Sequence, residues 1–219
     1  DRAVAADKPF FLRYNTTRMH VHTHLKPESQ GVTGLGVYPD GMVEHDGMIG
    51  QMLDKLDELG IADNTVVMYT PDNGAEKFTW PDGGTAPFRG EKNTNYEGGY
   101  RVPLLVKWPG VIEPGSRSSD LMSHMDWLPT IAAALGDGDI KERMKEGPVF
   151  GEDNTAVHLD GYNMLPYWSG AVDESPRQEF FYFSDDGNLV GMRYKRWKAV
   201  FAEQRAHSFD VWADPFVQL

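Results

Sequence analysis

The 219-residue chain has no cysteine, which excludes a disulfide framework, a zinc ribbon, an iron–sulfur site and a thiol nucleophile within it. No apolar run reaches the roughly 18 residues that span a bilayer, so no transmembrane helix is expected. Blocks of five or six like charges are also missing, which argues against an acidic interaction tail. Even so, 33 Asp and Glu outweigh 21 Lys and Arg, for a net charge of −12. Such a surplus repels phosphate backbones and argues against nucleic acid as a partner. With 23 Gly and 14 Pro the chain falls short of low-complexity composition, and its length suffices to bury a core. An anionic substrate would need a local cationic site, built from Lys, Arg and His or from a bound metal. The chain opens on Asp1 rather than Met and closes on Phe216-Val217-Gln218-Leu219, so a segment of a longer protein is expected.

The apolar run Pro9 to Tyr14 reads as a buried strand, followed by a loop from Thr16 to Gly36 that carries His20, His22 and His24. Ile49, Met52, Leu53, Leu56 and Leu59 recur at steps of three and four, predicting a helix with Asp40 as its cap and Gly60 as its stop. Thr65 to Tyr69 reads as a strand ending at Thr70-Pro71-Asp72-Asn73-Gly74. A long loop from Ala75 to Arg101, a strand over Val102 to Trp108 and a helix over Asp126 to Leu135 follow, with Pro129 in the helix's first turn. Strand, loop, helix and strand in that order predict an α/β fold with a mixed or parallel sheet flanked by helices. Towards the end, Glu179–Phe183 and Leu189–Tyr194 form a predicted hairpin across Asp186-Gly187. Trp197 to Phe201 would add a third strand, completing a small antiparallel subdomain.

Ligands of open α/β sheets gather at the carboxyl ends of strands, which directs attention to Asp72, Asn73 and Gly74. Asp72 and Asn73 offer one anionic and one neutral oxygen ligand, a chemistry suited to calcium or magnesium. By itself such a tripeptide is more often just a turn. His20 and His24 could contact an anion or protonate a leaving group, or could lie in a polar surface loop. Lys92 stands in Arg89-Gly90-Glu91-Lys92 beside the glycine-rich Tyr96-Glu97-Gly98-Gly99-Tyr100, where backbone can approach a ligand closely. Its alternative is a solvated surface lysine.

Taken in order, several stretches resemble the middle and later part of the type I sulfatases, the arylsulfatases of the alkaline-phosphatase-like superfamily. They are Gly60-Ile61-Ala62-Asp63-Asn64-Thr65-Val66-Val67, Asp72-Asn73-Gly74, Arg89-Gly90-Glu91-Lys92, Tyr96 to Pro103 and Trp108-Pro109-Gly110. Asp126-Trp127-Leu128-Pro129-Thr130-Ile131 and Asp160-Gly161-Tyr162-Asn163-Met164-Leu165-Pro166 extend the likeness over nearly the whole chain. The resemblance implies that residues 1–150 belong to the α/β catalytic domain, 151–175 connect, and 176–219 form an incomplete antiparallel C-terminal subdomain. It also implies that Asp72 and Asn73 are two ligands of a divalent ion, calcium or else magnesium. Lys92 would contact the sulfate group, as would His20, with His24 as the second choice of histidine.

The family's nucleophile is a formylglycine made from Cys or Ser within Cys/Ser-x-Pro-x-Arg, and no such motif occurs here. Ser116-Arg117-Ser118-Ser119 lacks the proline, and Ser175-Pro176-Arg177 has the wrong spacing. The expectation is a fragment of a sulfate ester hydrolase, inactive alone, whose partners are a sulfated small molecule or carbohydrate and the missing N-terminal part of the same protein. Such sulfatases are generally exported, which implies a periplasmic or secreted parent before a lysosomal one. A phosphate or phosphonate ester hydrolase of the same superfamily, or a noncatalytic anion-binding homologue, is the alternative. Asn73 bears on the first of these, because phosphatases of the superfamily usually follow the Asp with His.

Overall fold

The computed structural model describes residues 1–84, 87–147 and 155–219, so the expected boundary between residues 150 and 151 lies outside the described residues. The chain divides into two units, Asp1–Pro109 with Glu203–Leu219 and Gly110–Ala202.

In the first unit the short helix α1 (Arg2–Ala5) precedes the long helix α2 (Val37–Glu58). Ile49, Met52 and Leu56 are half-buried along one face of α2, as their spacing predicts. Gly60 ends the helix at φ +66°, donating its N–H to the Asp57 carbonyl at 2.9 Å. Asp40 is not the cap expected from the sequence: Gly36 holds that position and Asp40 lies inside the first turn. Its carboxylate accepts from Gly31 N (2.6 Å), Thr33 N (2.9 Å) and Thr33 Oγ1 (2.6 Å), pinning the preceding loop onto the helix. These bonds hold the Asp40 carboxyl below the usual range, Thr33's contributing most.

Strand β1 (Val67–Tyr69) pairs antiparallel with β2 (Leu105–Lys107), Val67 opposite Lys107 and Tyr69 opposite Leu105. The parallel crossover expected from strand, helix and strand does not form, because its first strand has no ladder. Residues 9–14 carry no strand among the described residues, and Phe11 is 77% exposed. An apolar run becomes a strand only where a neighbouring strand satisfies its backbone groups, and here β1 pairs with β2 instead. The loop after β1 holds the one-turn helix α3 (Glu97–Tyr100).

The second unit begins its regular structure at a capping box in which Ser123 and Asp126 bond each other's backbone. Helices α4 (Trp127–Ala134), α5 (Ile140–Glu146) and α6 (Leu165–Trp168) follow. Strands β3 (Glu179–Phe183), β4 (Leu189–Tyr194) and β5 (Trp197–Val200) then form an antiparallel meander. Gly187 supplies the positive φ of the first hairpin turn, at +78°. Ile140, Met164, Tyr182 and Val190 are core residues of the unit. In the same unit Arg177 grips the buried Asp126 through Nε (2.8 Å to Oδ2) and Nη2 (2.6 Å to Oδ1). Ser175 donates its hydroxyl to the Leu121 carbonyl, so both polar residues of Ser175-Pro176-Arg177 serve the fold.

Candidate functional site

The β1 strand delivers Asp72, Asn73 and Gly74 to a turn that is bonded directly to the glycine-rich loop. Gly74 N donates to the Gly99 carbonyl (2.9 Å), Lys92 N to the Ala75 carbonyl (3.0 Å) and Gly98 N to the Arg89 carbonyl (2.7 Å). Three segments thus lie edge to edge, which explains the glycines. A Cβ on Gly74 would run into the Gly98 carbonyl, and one on Gly98 into the Gly90 carbonyl. The loop is fixed on its other side by the returning tail: Arg89 reaches Glu203 at 3.3 Å and lies over the Tyr96 ring, and the Tyr96 hydroxyl donates to Glu203. Burial first, and then the Glu203 bond, raise the Tyr96 hydroxyl above its usual range, keeping it a donor.

Lys92 stands on this clamped loop with its side chain 16% exposed. Its Nζ is 3.2 Å from Nε2 of His20, a residue 72 positions earlier. An ammonium can only donate, so in this contact Nε2 accepts and the ring proton resides on Nδ1. The His20 carbonyl is held by Trp80 Nε1 (3.2 Å) and the Thr23 hydroxyl (2.7 Å), which fix the loop where the histidine emerges. Glu76, 4% exposed, faces Lys92 with Oε1 3.7 Å from Nζ. Trp212 covers another side, its ring centre 5.5 Å from Nζ, and packs with Phe78 and Phe209 at centroid distances of 5.7 and 5.4 Å.

Asp72 is exposed and, among the described residues, its carboxylate makes no hydrogen bond or ion pair. The Asn73 amide donates to the Gly74 carbonyl at 2.8 Å, which commits its nitrogen to the turn and leaves its oxygen as the acceptor available to a cation. Among the described residues no cluster of three or more His, Cys, Asp and Glu side chains could hold a metal. His20 and His24 are both exposed, but among the described residues only His20 of the two has a side-chain hydrogen-bond partner. Glu76 and Trp212 are additions that sequence reasoning did not single out as site residues. The one available signal was the position of Glu76, four residues after Asp72 in a motif-bearing turn.

Behind the site, His45 of α2 joins Tyr69 of β1, with Nε2 3.1 Å from the phenol oxygen and Nδ1 3.2 Å from Thr16 Oγ1. Burial lowers the His45 pKa below the ordinary value of 6.5 and raises that of Tyr69, with Asp46 adding to the latter. A neutral imidazole therefore bridges the helix and the strand that leads into the Asp72 turn.

Residues 2–137 match the family model described as Sulfatase. Human arylsulfatase A is 33% identical over 214 residues, which are 95% of this chain and 39% of that protein. Human N-acetylgalactosamine-6-sulfatase is 34% identical over 200 residues, covering 90% of this chain and 35% of that one. Among solved structures, the PsFucS1 sulfatase from a Pseudoalteromonas species superposes with a TM-score of 0.80 at 28% identity, covering the whole of this chain and 41% of its own. The chain thus spans well under half the length of the relatives it matches.

Proposed function

The chain belongs to the sulfatase family, and from that premise we propose that it supplies the anion- and metal-binding part of a divalent-metal-dependent sulfate ester hydrolase. One observation carries the reading. Lys92 and His20, distant in sequence, meet at 3.2 Å on a loop whose backbone is bonded to the Asp72-Asn73-Gly74 turn. An ammonium and an imidazole at that position suit the nonbridging oxygens of a sulfate ester, where negative charge must be bound against a protein of net charge −12. In this reading Lys92 binds and orients the sulfate group, and His20, already accepting from Lys92, donates a hydrogen bond from its Nδ1–H to an ester or leaving-group oxygen.

Asp72 and Asn73 would hold the ion. Their hard oxygen donors, one of them an exposed carboxylate with no partner among the described residues, fit calcium or magnesium rather than a thiolate-seeking metal. Such an ion, when bound, supplies positive charge that stabilises the developing charge on the sulfate oxygens. The nucleophile, a formylglycine in the parent protein, lies outside these 219 residues, so the chain alone is expected to have no turnover. The exposed Phe10, Phe11, Leu12 and Tyr14 are apolar surface suited to the remaining part of the same protein. Substrates are sulfate esters of a small molecule or a carbohydrate, the range to which the relatives' names point. Because sulfatases of this kind are generally exported, the reading places the parent in the periplasm or outside the cell before a lysosome; separately, among the described residues no helix is long and apolar enough to cross a membrane.

The test is hydrolysis by the longer natural protein of an aryl sulfate against an aryl phosphate, before and after chelation. Sulfate preference, loss with chelator and recovery with added calcium are expected. Preference for the phosphate, or indifference to chelation, refutes the reading.

A further inference from the structure

The Glu76 side chain combines near-complete burial with an absence of hydrogen bonds among the described residues. It is 4% exposed, and neither carboxylate oxygen has a hydrogen-bond partner among the described residues. Buried polar groups are nearly always bonded, and a buried carboxylate without compensation is among the costliest groups a fold can hold. The cation that faces it is Lys92, whose Nζ is 3.7 Å from Oε1, within ion-pair range but too far for a hydrogen bond. The pair is positioned by the main chain: Lys92 N donates to the carbonyl of Ala75, the residue before Glu76.

We propose that Glu76 is the positioning residue of the sulfate-binding site, holding the Lys92 ammonium in place from its buried side; this rests on the reading of Lys92 given above. An ammonium has three N–H donors on a stem of four flexible carbons. One donor is taken by His20 Nε2 at 3.2 Å, and the Trp212 ring lies 5.5 Å from Nζ. The attraction of Glu76 draws a second donor inwards, and the third is left for a substrate oxygen. Because Glu76 keeps to a distance longer than a hydrogen bond, it restrains the ammonium without competing fully for its donors. Lys92 can then lean towards a bound sulfate at little cost. The unsatisfied carboxylate lowers the stability of the fold, a pattern expected where a local rule is broken for function. Glu76 itself need not touch substrate.

The test is a double-mutant cycle in the longer natural protein, with inhibition by inorganic sulfate and kcat/KM on an aryl sulfate as readouts. Glu76→Gln preserves shape and removes the charge. A displaced lysine is expected to weaken sulfate inhibition and to lower kcat/KM by about 10-fold or more. Glu76→Gln added to Lys92→Ala is expected to cost no further activity, within about twofold. A role confined to the fold would instead make the two losses multiply. The proposal is overturned if they multiply, or if Glu76→Gln leaves sulfate inhibition unchanged. Should Glu76→Gln fail to fold, Glu76→Asp, which keeps the charge one methylene further back, is judged by the same cycle and the same criteria. If Lys92→Ala itself leaves sulfate inhibition unchanged, the site reading fails and the positioning role falls with it, an outcome distinct from a multiplying cycle.

Discussion

Replacing Asp126 with Asn is expected to destabilise the second unit by about 3–5 kcal/mol, the usual cost of removing one partner from a buried ion pair. The Asp126 side chain is 0% exposed and that of Arg177 is 4% exposed. The carboxylate accepts four bonds: from Arg177 Nε and Nη2, and from the backbone N–H of Ser123 and of Tyr162, both at 2.7 Å. Asn matches the volume but turns an NH2 towards donors and leaves the guanidinium without its countercharge. The capping box ahead of α4 would weaken as well, worth about 1 kcal/mol. Since small domains carry only about 5–15 kcal/mol in all, the loss should be obvious in urea denaturation followed by tryptophan fluorescence. It should also appear as faster hydrogen exchange at the amides of Tyr162 and Met164. The paired change Asp126→Leu with Arg177→Met is expected to cost less than Asp126→Asn, because an apolar pair leaves no buried charge behind. A single-variant loss below about 1 kcal/mol, the size of an ordinary hydrogen bond, would refute the reasoning.

Two further outcomes follow from the first unit. Gly74→Ala drives a Cβ into the Gly98 carbonyl, so the turn must part from the glycine-rich loop. The expected result is loss of aryl sulfate hydrolysis in the longer protein, whereas Gly47→Ala, in open space on α2, is expected to leave activity intact; equal activity of the two variants would argue against the clamp. His45 has a depressed pKa in the folded state, so the unfolded chain takes up its proton first as pH falls. The bridge's contribution is therefore complete above the unfolded pKa of about 6.5 and is lost as pH drops towards the lower folded value. The difference in denaturation midpoint between the parent and His45→Gln should shrink on going from pH 8 to pH 5, and growth of that difference would contradict the assignment.

The elements readable from the sequence were those fixed by neighbours along the chain. The three-and-four spacing of Ile49, Met52 and Leu56 identifies α2, and Asp186-Gly187 between Glu179–Phe183 and Leu189–Tyr194 identifies the β3–β4 hairpin. Pairing was not readable, because it depends on partners far away. The run from Phe10 to Tyr14 has a strand's composition and no strand to bond, and β1 meets β2 antiparallel where local order suggested a parallel crossover. The site divides in the same way. Asp72, Asn73 and Lys92 stand in recognisable stretches, but His20 and His24 occupy one loop with the same chemistry. What separates them is tertiary: Trp80 and Thr23 hold the His20 carbonyl and Lys92 reaches its ring, while the His24 side chain has no such hydrogen-bond partner among the described residues. Glu76 was illegible for a related reason, since a glutamate in a charged loop reads as solvated until the fold buries it. Asp40 shows the converse, a residue expected to cap the helix that instead lies inside its first turn, where its carboxylate serves the loop before it.

The most direct measurement is kcat/KM for an aryl sulfate, with inhibition by inorganic sulfate alongside, in the longer natural protein carrying Lys92→Ala. Loss of a preorganised cation at the sulfate oxygens predicts a fall of about 10²–10³-fold in turnover together with weaker sulfate inhibition. The result that contradicts a sulfate-binding site at Lys92 is a folded Lys92→Ala variant that retains both the parent's kcat/KM and its inhibition by sulfate.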